Sequence, residues 1–161
     1  MKKARYRLQP VLEVREQAKK DAAQRLSDAR QALADAEAEL ARRAAAVDAC
    51  RQRQAEADAK LRAALQAGSA AHALLAHRTF LADLKEEEGR LRDAVERQRA
   101  VIQRAEEAVE AALQGLIEAS KEAQAIERHR ENWRLARKAD EERRENKDND
   151  EFGASRYGRQ P

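Results

Sequence analysis

The sequence predicts an all-α fold, a long antiparallel two-helix coiled-coil hairpin. An apolar heptad ladder fills the first half of the chain, the Gly68-Ser69 pair interrupts it, and a second ladder follows. Apolar residues repeating about every 3.5 positions keep facing a partner helix only in a supercoil. The first ladder consists of Leu12, Leu26, Leu33, Leu40, Val47 and Leu61 with Ala22, Ala29, Ala36, Cys50, Ala57 and Ala64, and the second of Val95, Ile102, Val109 and Leu116 with Ala105, Ala112 and Ala119.

The composition excludes several other classes of protein. Aromatic residues make up 3% and charged residues 39% of the 161 residues, which argues against a thick globular core. The net charge of +3 is the balance of 33 basic and 30 acidic residues that alternate along the chain. Such mixed charge is typical of solvated helix faces, whereas a surface that binds nucleic acid carries a stripe of positive charge alone. We therefore expect no nucleic-acid binding.

The first helix is predicted over residues 8–66, with a turn over 67–70. Pro10 falls in the first helical turn, where its missing N–H is harmless. Gly68 is suited to end the helix and Ser69 to cap the next one.

The second helix is predicted over 70–144, so that the hairpin occupies residues 1–145. From Glu145 onward the sequence has no apolar periodicity. Residues 146–161 are therefore predicted to form a mobile C-terminal tail.

The pairing of the two helices follows from the position of the turn. A turn centred on Ser69 sets opposite each other residues whose numbers sum to 138. Each of the resulting layers places a large side chain against a small one, which lets the helices approach without voids. The layers are Leu26 with Ala112, Leu33 with Ala105, Ala29 with Val109, Ala36 with Ile102, and Ala22 with Leu116. We predict a hairpin that is monomeric when free.

The two ends of the hairpin are predicted to differ from its middle. At the open end, which we call the base, Arg15 and Lys19 occupy seam positions and must extend their charged ends outward. Arg5 is predicted to face Trp133 in a cation–π contact. Tyr6 and Trp133 are interpreted as anchors of the base. Basic residues collect there: Lys2, Lys3, Arg5, Arg7, Arg15, Lys19, Lys20, Arg128, Arg130, Arg134, Arg137 and Lys138. At the tip, Leu75 and Phe80 lie off the seam and can either form an exposed patch or close the tip.

No arrangement of residues in the sequence predicts catalysis, a metal site or a cofactor site. Cys50 occupies a core position, where a thiol acts as a small apolar group. His72 and His77 are five residues apart, a poor spacing for ligands on one helix face, and they and His129 are interpreted as surface residues. Glu86–Glu88 is interpreted as a solvated acidic cluster. We expect a protein that is not an enzyme.

The sequence also bears on localisation. The basic start Met1-Lys2-Lys3 lacks the apolar stretch of a secretory signal, and no segment has the roughly twenty apolar residues of a membrane span. The single cysteine fits a reducing compartment. We expect a cytoplasmic protein.

Both termini resemble one protein family. Residues 6–16, Tyr-Arg-Leu-Gln-Pro-Val-Leu-Glu-Val-Arg-Glu, resemble the opening of the flagellar export protein FliJ, in which an aromatic-Arg-Leu-Gln precedes a Val-Leu pair and Arg-Glu. Residues 141–152 resemble the closing signature of that family, in which a helix of mixed charge leads through Lys to Asp-Glu and a bulky apolar residue. The related YscO stalk proteins of virulence-type secretion share the architecture.

The resemblance implies a central stalk of a type III export ATPase complex. In that family the end that holds both termini enters the hexameric export ATPase and promotes its assembly and activity, while the tip contacts the cytoplasmic domain of the export gate. Some members also handle export chaperones. The resemblance implies a cytoplasmic location, peripheral to the inner-membrane export apparatus and joined to the membrane only through partners.

The resemblance assigns residues to both contacts. The candidates for ATPase-ring binding are Arg7, Leu8, Gln9, Val11, Leu12, Arg15, Trp133, Arg134 and Arg137. The candidates for export-gate binding are Leu75, Phe80 and Leu84, of which the last two match the family's Phe-x3-Leu pattern.

Other functions stay open at the level of sequence. A coiled-coil export chaperone, or holdase, would need a second apolar stripe, which the sequence shows only near the tip. A passive scaffold with a basic docking end is a third reading. A flagellar and a virulence-type secretion stalk are alternatives that the sequence does not separate.

Overall fold

The chain folds into two long α-helices that form an antiparallel hairpin. A computed structural model describes the backbone of residues 5–157 and the side chains of residues 5–152. Helix α1 spans Gln9–Gln66 and helix α2 spans Ala71–Tyr157, with no strand in this part of the chain. The predicted all-α hairpin is confirmed, and the helices begin one residue later than predicted. Pro10 lies in the first turn of α1.

The turn between the helices is a Schellman motif built on Gly68. Gly68 has a positive φ of 67°, its N–H donates to the carbonyl of Leu65 over 3.2 Å, and the N–H of Ser69 donates to the carbonyl of Ala64 over 3.0 Å. These two bonds satisfy carbonyls that the end of a helix leaves unpaired. Ser69 thus completes the end of α1, and the prediction that it caps α2 was wrong, because α2 begins only at Ala71 and Ala70 precedes it.

We expect Gly68→Ala to destabilise the hairpin by about 1 kcal/mol, because an L-residue pays this much to adopt a left-handed conformation. A Cβ at position 68 would meet no atom within 4 Å, so that backbone strain is the whole effect. Denaturant unfolding measures the loss. Gly115→Ala is the control: it lies inside α2 with equally open surroundings, and there alanine should stabilise instead. Equal changes at both positions would contradict the assignment.

Within the hairpin the chain forms two compact units. The first comprises the residues up to Gln24 together with those from Leu113 onward, and the second is Arg25–Ala112. All the residues of the predicted ladders are buried or half-buried. The buried apolar side chains of the first unit are Tyr6, Leu12, Ala22 and Ala123, and those of the second are Leu26, Ala36, Val47, Cys50, Ala57 and Leu84.

Polar side chains in the seam of the second unit report its register. Buried Gln98 donates its amide to the carbonyl of Ala36 over 2.9 Å, and Arg43 donates to the carbonyl of Ala94 over 3.1 Å. These residue numbers sum to 134 and 137, which places the pairing within about one helical turn of the predicted sum of 138. Bonds from seam side chains to the facing backbone favour one register over others.

Glu88 joins the two helices of the second unit through charged hydrogen bonds. Its carboxylate accepts from Arg51 over 3.0 Å and from the Gln54 amide over 2.9 Å, and it pairs with Arg92 over 2.8 Å, while its side chain is 15% exposed. The hydrogen bond from Arg51, then that from Gln54, lower the pKa of Glu88 below its ordinary value of 4.5. The network therefore prefers the ionised carboxylate.

We expect the stabilisation by Glu88 to be lost in acid. Because the folded-state pKa is lowered, this contribution is fully present above about pH 4.5 and disappears as the pH falls through the folded-state value. The melting temperature of Glu88→Gln should accordingly lie below that of the wild type at neutral pH, with a gap that shrinks on acidification. Thermal unfolding followed by circular dichroism between pH 7 and roughly pH 2.5 measures the gap. A gap independent of pH would contradict the assignment.

The end of α2 departs from the sequence prediction. The helix continues through Tyr157, and the prediction that it ends at 144 and gives way to an irregular tail was wrong for these residues. The segment from Leu116 to Phe152 contains no Gly or Pro. Ion pairs one turn apart support it, such as Lys147 with Glu151 at 3.9 Å and Arg143 with Asp140 at 3.7 Å. Residues 158–161 lie outside the described part of the chain.

Candidate functional surfaces

The base is built within the first unit by the segment before α1, the first turns of α1 and the facing part of α2. Tyr6 precedes α1, yet its side chain is only 8% exposed. Its ring lies 5.3 Å from that of Trp133 and 5.7 Å from that of His129, centroid to centroid. Its hydroxyl is 2.7 Å from Nδ1 of His129. Tyr6 thus joins the segment before α1 to α2 at the base.

The contacts of Trp133 differ from the sequence prediction. The guanidinium of Arg137 lies 6.0 Å from the centroid of the indole ring, one turn along the same helix. Arg5 is exposed, and the predicted cation–π contact between Arg5 and Trp133 is not formed. Tyr6, the next residue in the chain, contacts Trp133 instead, because burying an aromatic ring removes more apolar surface from water than burying an arginine does.

The base carries cations that form no ion pair within the described part of the chain. Arg15 extends from the seam, as expected, and pairs with Glu122 over 2.6 Å, while Arg134 pairs with Glu131 over 3.5 Å. Other basic side chains of the first unit are exposed and form no ion pair with any of residues 5–152. They are Arg5, Arg7, Lys19, Lys20, Arg128 and Arg130. Lys2 and Lys3 lie outside the described residues. The surface thus presents positive charge that an acidic partner can neutralise.

The ring-binding candidates of the base fall into two groups. Arg7, Val11, Arg15 and Arg134 are exposed, and Leu8, Gln9, Trp133 and Arg137 are half-buried. Leu12 is only 1% exposed, so its side chain packs in the seam, and its assignment to ring binding stays a prediction. Beside Trp133 a shallow groove of about 440 Å³ runs past Leu135, which is 58% exposed.

The tip, which belongs to the second unit, presents apolar side chains to solvent. Leu75 is 65%, Phe80 51% and Leu65 57% exposed. Of the readings left open for Leu75 and Phe80, the exposed patch is therefore the one observed. Leu84 is only 2% exposed and its carbonyl accepts hydrogen bonds from Cys50 and Gln54, so its side chain packs in the seam, and its assignment to gate binding stays a prediction. The sequence analysis does not assign Leu65 to this patch, although an apolar residue outside the ladder positions is expected to face solvent.

The remaining polar side chains among residues 5–152 do not form a cluster with the arrangement of a reaction centre. Cys50 is fully buried and its thiol donates to the carbonyl of Leu84 over 3.4 Å. His72 is exposed and His77 half-buried. Among the side chains of residues 5–152, no group of three or more His, Cys, Asp and Glu is placed to hold a metal ion. None of the described helical segments is long and apolar enough to cross a membrane.

These features define a coiled-coil hairpin protein with an apolar tip and a basic, aromatic base. The family model of YscO-like proteins matches residues 3–160, and the chain therefore belongs to the YscO-like family, which is associated with type III secretion. The predicted membership of the FliJ and YscO group of families is confirmed at the level of the YscO-like family.

A solved structure shows the same fold. The YscO homologue CT670 from Chlamydia trachomatis superposes with a TM-score of 0.79 at 23% sequence identity, over 97% of this chain and 96% of that chain. No curated protein matches the sequence significantly. At this identity the similarity establishes the hairpin and leaves the function to be argued from the surfaces.

Proposed function

We propose that this protein is the central stalk of a type III export ATPase complex. Its base would insert into the hexameric ring of the export ATPase, promote assembly of the ring and stimulate ATP hydrolysis. The observation that carries this proposal is the base itself, where exposed cations that pair with no acidic residue among 5–152 accompany the contacts of Tyr6 with His129 and Trp133. Membership of a family associated with type III secretion supports it.

The geometry of the base suggests how it would act on a ring. Two helices cannot match the symmetry of six identical subunits, so the base must contact the subunits unequally. A ligand shifts a conformational equilibrium by its difference in affinity for the two states. Each subunit that meets the helices is therefore biased toward the state that binds them best, while its neighbours are not. Positive charge on the base would also accelerate its encounter with an acidic channel.

The tip supplies the second contact of the proposed stalk. Leu75 and Phe80 expose apolar surface that a monomeric hairpin does not bury itself. Exposed apolar patches mark sites of protein association. We assign this patch to the cytoplasmic domain of the export gate, so that the protein links ring and gate. Export chaperones could bind the same chain, and its location would be cytoplasmic and peripheral to the export apparatus.

The direct test is an ATPase assay with the export ATPase of the same organism. Hydrolysis is measured while the purified protein is added, and the rate should rise and saturate near one copy per hexamer. The stimulation should weaken as salt is raised, because exposed charges are screened. If the protein instead suppresses the aggregation of export substrates and leaves hydrolysis unchanged, the chaperone function is correct and the stalk function is wrong. The system that contains the ATPase also separates a flagellar from a virulence-type role.

A further inference from the structure

The N-terminal segment of the base holds two cations in a stretch that no helix supports. Residues 5–8 precede α1 and are not helical. Arg5 and Arg7 are exposed, whereas Tyr6 between them is buried. An irregular segment is held in place by the anchoring of its side chains, and Tyr6 is the one buried side chain of residues 5–8, while Leu8 is half-buried. The positions of Arg5 and Arg7 therefore depend chiefly on Tyr6.

Tyr6 is anchored to α2 by two kinds of contact. Its hydroxyl and Nδ1 of His129 are 2.7 Å apart, a short hydrogen bond in which the hydroxyl donates when the histidine proton is on Nε2. Its ring is tilted by 52° against Trp133 at 5.3 Å, within the range of about 4.5–7 Å in which aromatic rings attract one another. The carbonyl of Tyr6 also accepts from the N–H of Gln9 over 3.2 Å, which ties the anchored residue to the first turn of α1.

We propose that Tyr6 is a positioning residue that fixes Arg5 and Arg7 for binding to an acidic protein surface. The inference rests on the proposed function, in which that surface belongs to the ATPase ring. A segment that is ordered before binding does not lose further conformational freedom on association. The bond to His129 thus increases affinity although neither of the two side chains needs to touch the partner.

A double-mutant cycle tests the hydrogen bond between Tyr6 and His129. The measured quantity is the half-saturating concentration, at which this protein gives half of its maximal stimulation of the ATPase. Tyr6→Phe removes only the hydroxyl and should raise this concentration about 2- to 10-fold. His129→Ala should raise it at least as much. Adding Tyr6→Phe to His129→Ala should then have no further effect, because the bond is already lost. The maximal rate at saturation should stay unchanged for all three variants, since the ring meets the same cations.

The anchoring itself has an independent readout, because Trp133 is the only tryptophan of the chain. Tyr6→Ala should shift the emission of Trp133 to longer wavelength and increase its quenching by acrylamide, with helical content unchanged by circular dichroism. Val14→Ala is the matched control: Val14 is an apolar side chain of the same base that is 65% exposed. This variant should leave both the emission and the half-saturating concentration as in the wild type.

The outcomes separate the inference from the proposed function. If Tyr6→Ala shifts the emission of Trp133 while stimulation keeps its wild-type concentration dependence, Tyr6 is only structural and the inference is overturned. Independent, additive losses in the double-mutant cycle would overturn it as well. If the wild-type protein does not stimulate the ATPase at all, the proposed function is wrong, and so is the assignment of the acidic surface to the ATPase ring. The emission of Trp133 then still shows whether Tyr6 orders the segment.

Discussion

Reversing the charges of Arg5 and Arg7 should raise the concentration of protein needed to stimulate the export ATPase by roughly tenfold or more. Both side chains are exposed and form no ion pair with the other described residues, so their substitution by glutamate removes attraction to an acidic channel and breaks no internal contact. The loss should appear mainly as slower association, and it should diminish in high salt. ATP hydrolysis measured against protein concentration at two salt concentrations tests both parts.

The matched control for this experiment is the pair Arg30→Glu and Arg104→Glu. These arginines are also exposed and lack an ion-pair partner among residues 5–152, but they belong to the second unit. The net charge of the protein changes by the same amount in both double variants. Stimulation should be close to that of the wild type in the control. Equal losses of stimulation in the two double variants would show that the net charge of the protein determines stimulation, and would contradict a specific role of the base.

Leu84→Ala should lower the free energy of unfolding by about 2–4 kcal/mol, whereas Phe80→Ala should change it by less than about 0.5 kcal/mol. The two residues fit the same family pattern, but Leu84 is 2% exposed and Phe80 is 51% exposed. Truncating the buried side chain leaves a cavity in the seam, while truncating the exposed one removes surface that only a partner would cover. Denaturant unfolding of both variants measures the difference.

The same two variants separate folding from gate binding. Phe80→Ala should reduce binding to the cytoplasmic domain of the export gate while the hairpin stays intact. Leu84→Ala should reduce binding only to the extent that the protein is unfolded, and it should bind normally where circular dichroism shows full helicity. A stable Leu84→Ala variant that cannot bind the gate would instead show that Leu84 itself takes part in gate binding, as the family pattern predicts.

The gap between prediction and structure is largest for single side chains. Leu12 and Leu84 were assigned to partner surfaces by family position, and both are buried in the seam. The heptad ladder itself places Leu12 in the seam, and Leu84 stands three heptads before Ala105, so the periodicity agrees with the burial of both side chains. The bond between Tyr6 and His129 was out of reach, because it joins residues 123 positions apart through a non-helical segment.

The end of α2 shows a different reason for failure. Apolar periodicity stops near residue 145, and on this ground the sequence predicts a helix that ends at residue 144. Periodicity reports only the part of a helix that packs against a partner. Beyond it, pairs such as Lys147 with Glu151 support a helix whose side chains are exposed up to Phe152. The side chains of residues 140–152 are all exposed, so the helix extends well past the seam.

The amino-acid sequence by itself determined the two helices, the seam and the turn. Heptad spacing acts through the helix's own geometry, and Gly68 ends α1 by its freedom to adopt a positive φ, so both effects are local. The tertiary structure decided which cations of the base form no ion pair among the described residues, that Tyr6 contacts α2, and that Leu75 and Phe80 are exposed at the tip. Those outcomes depend on which side chains meet across the seam, and contacts between residues far apart in the chain arise only when the two helices pack together.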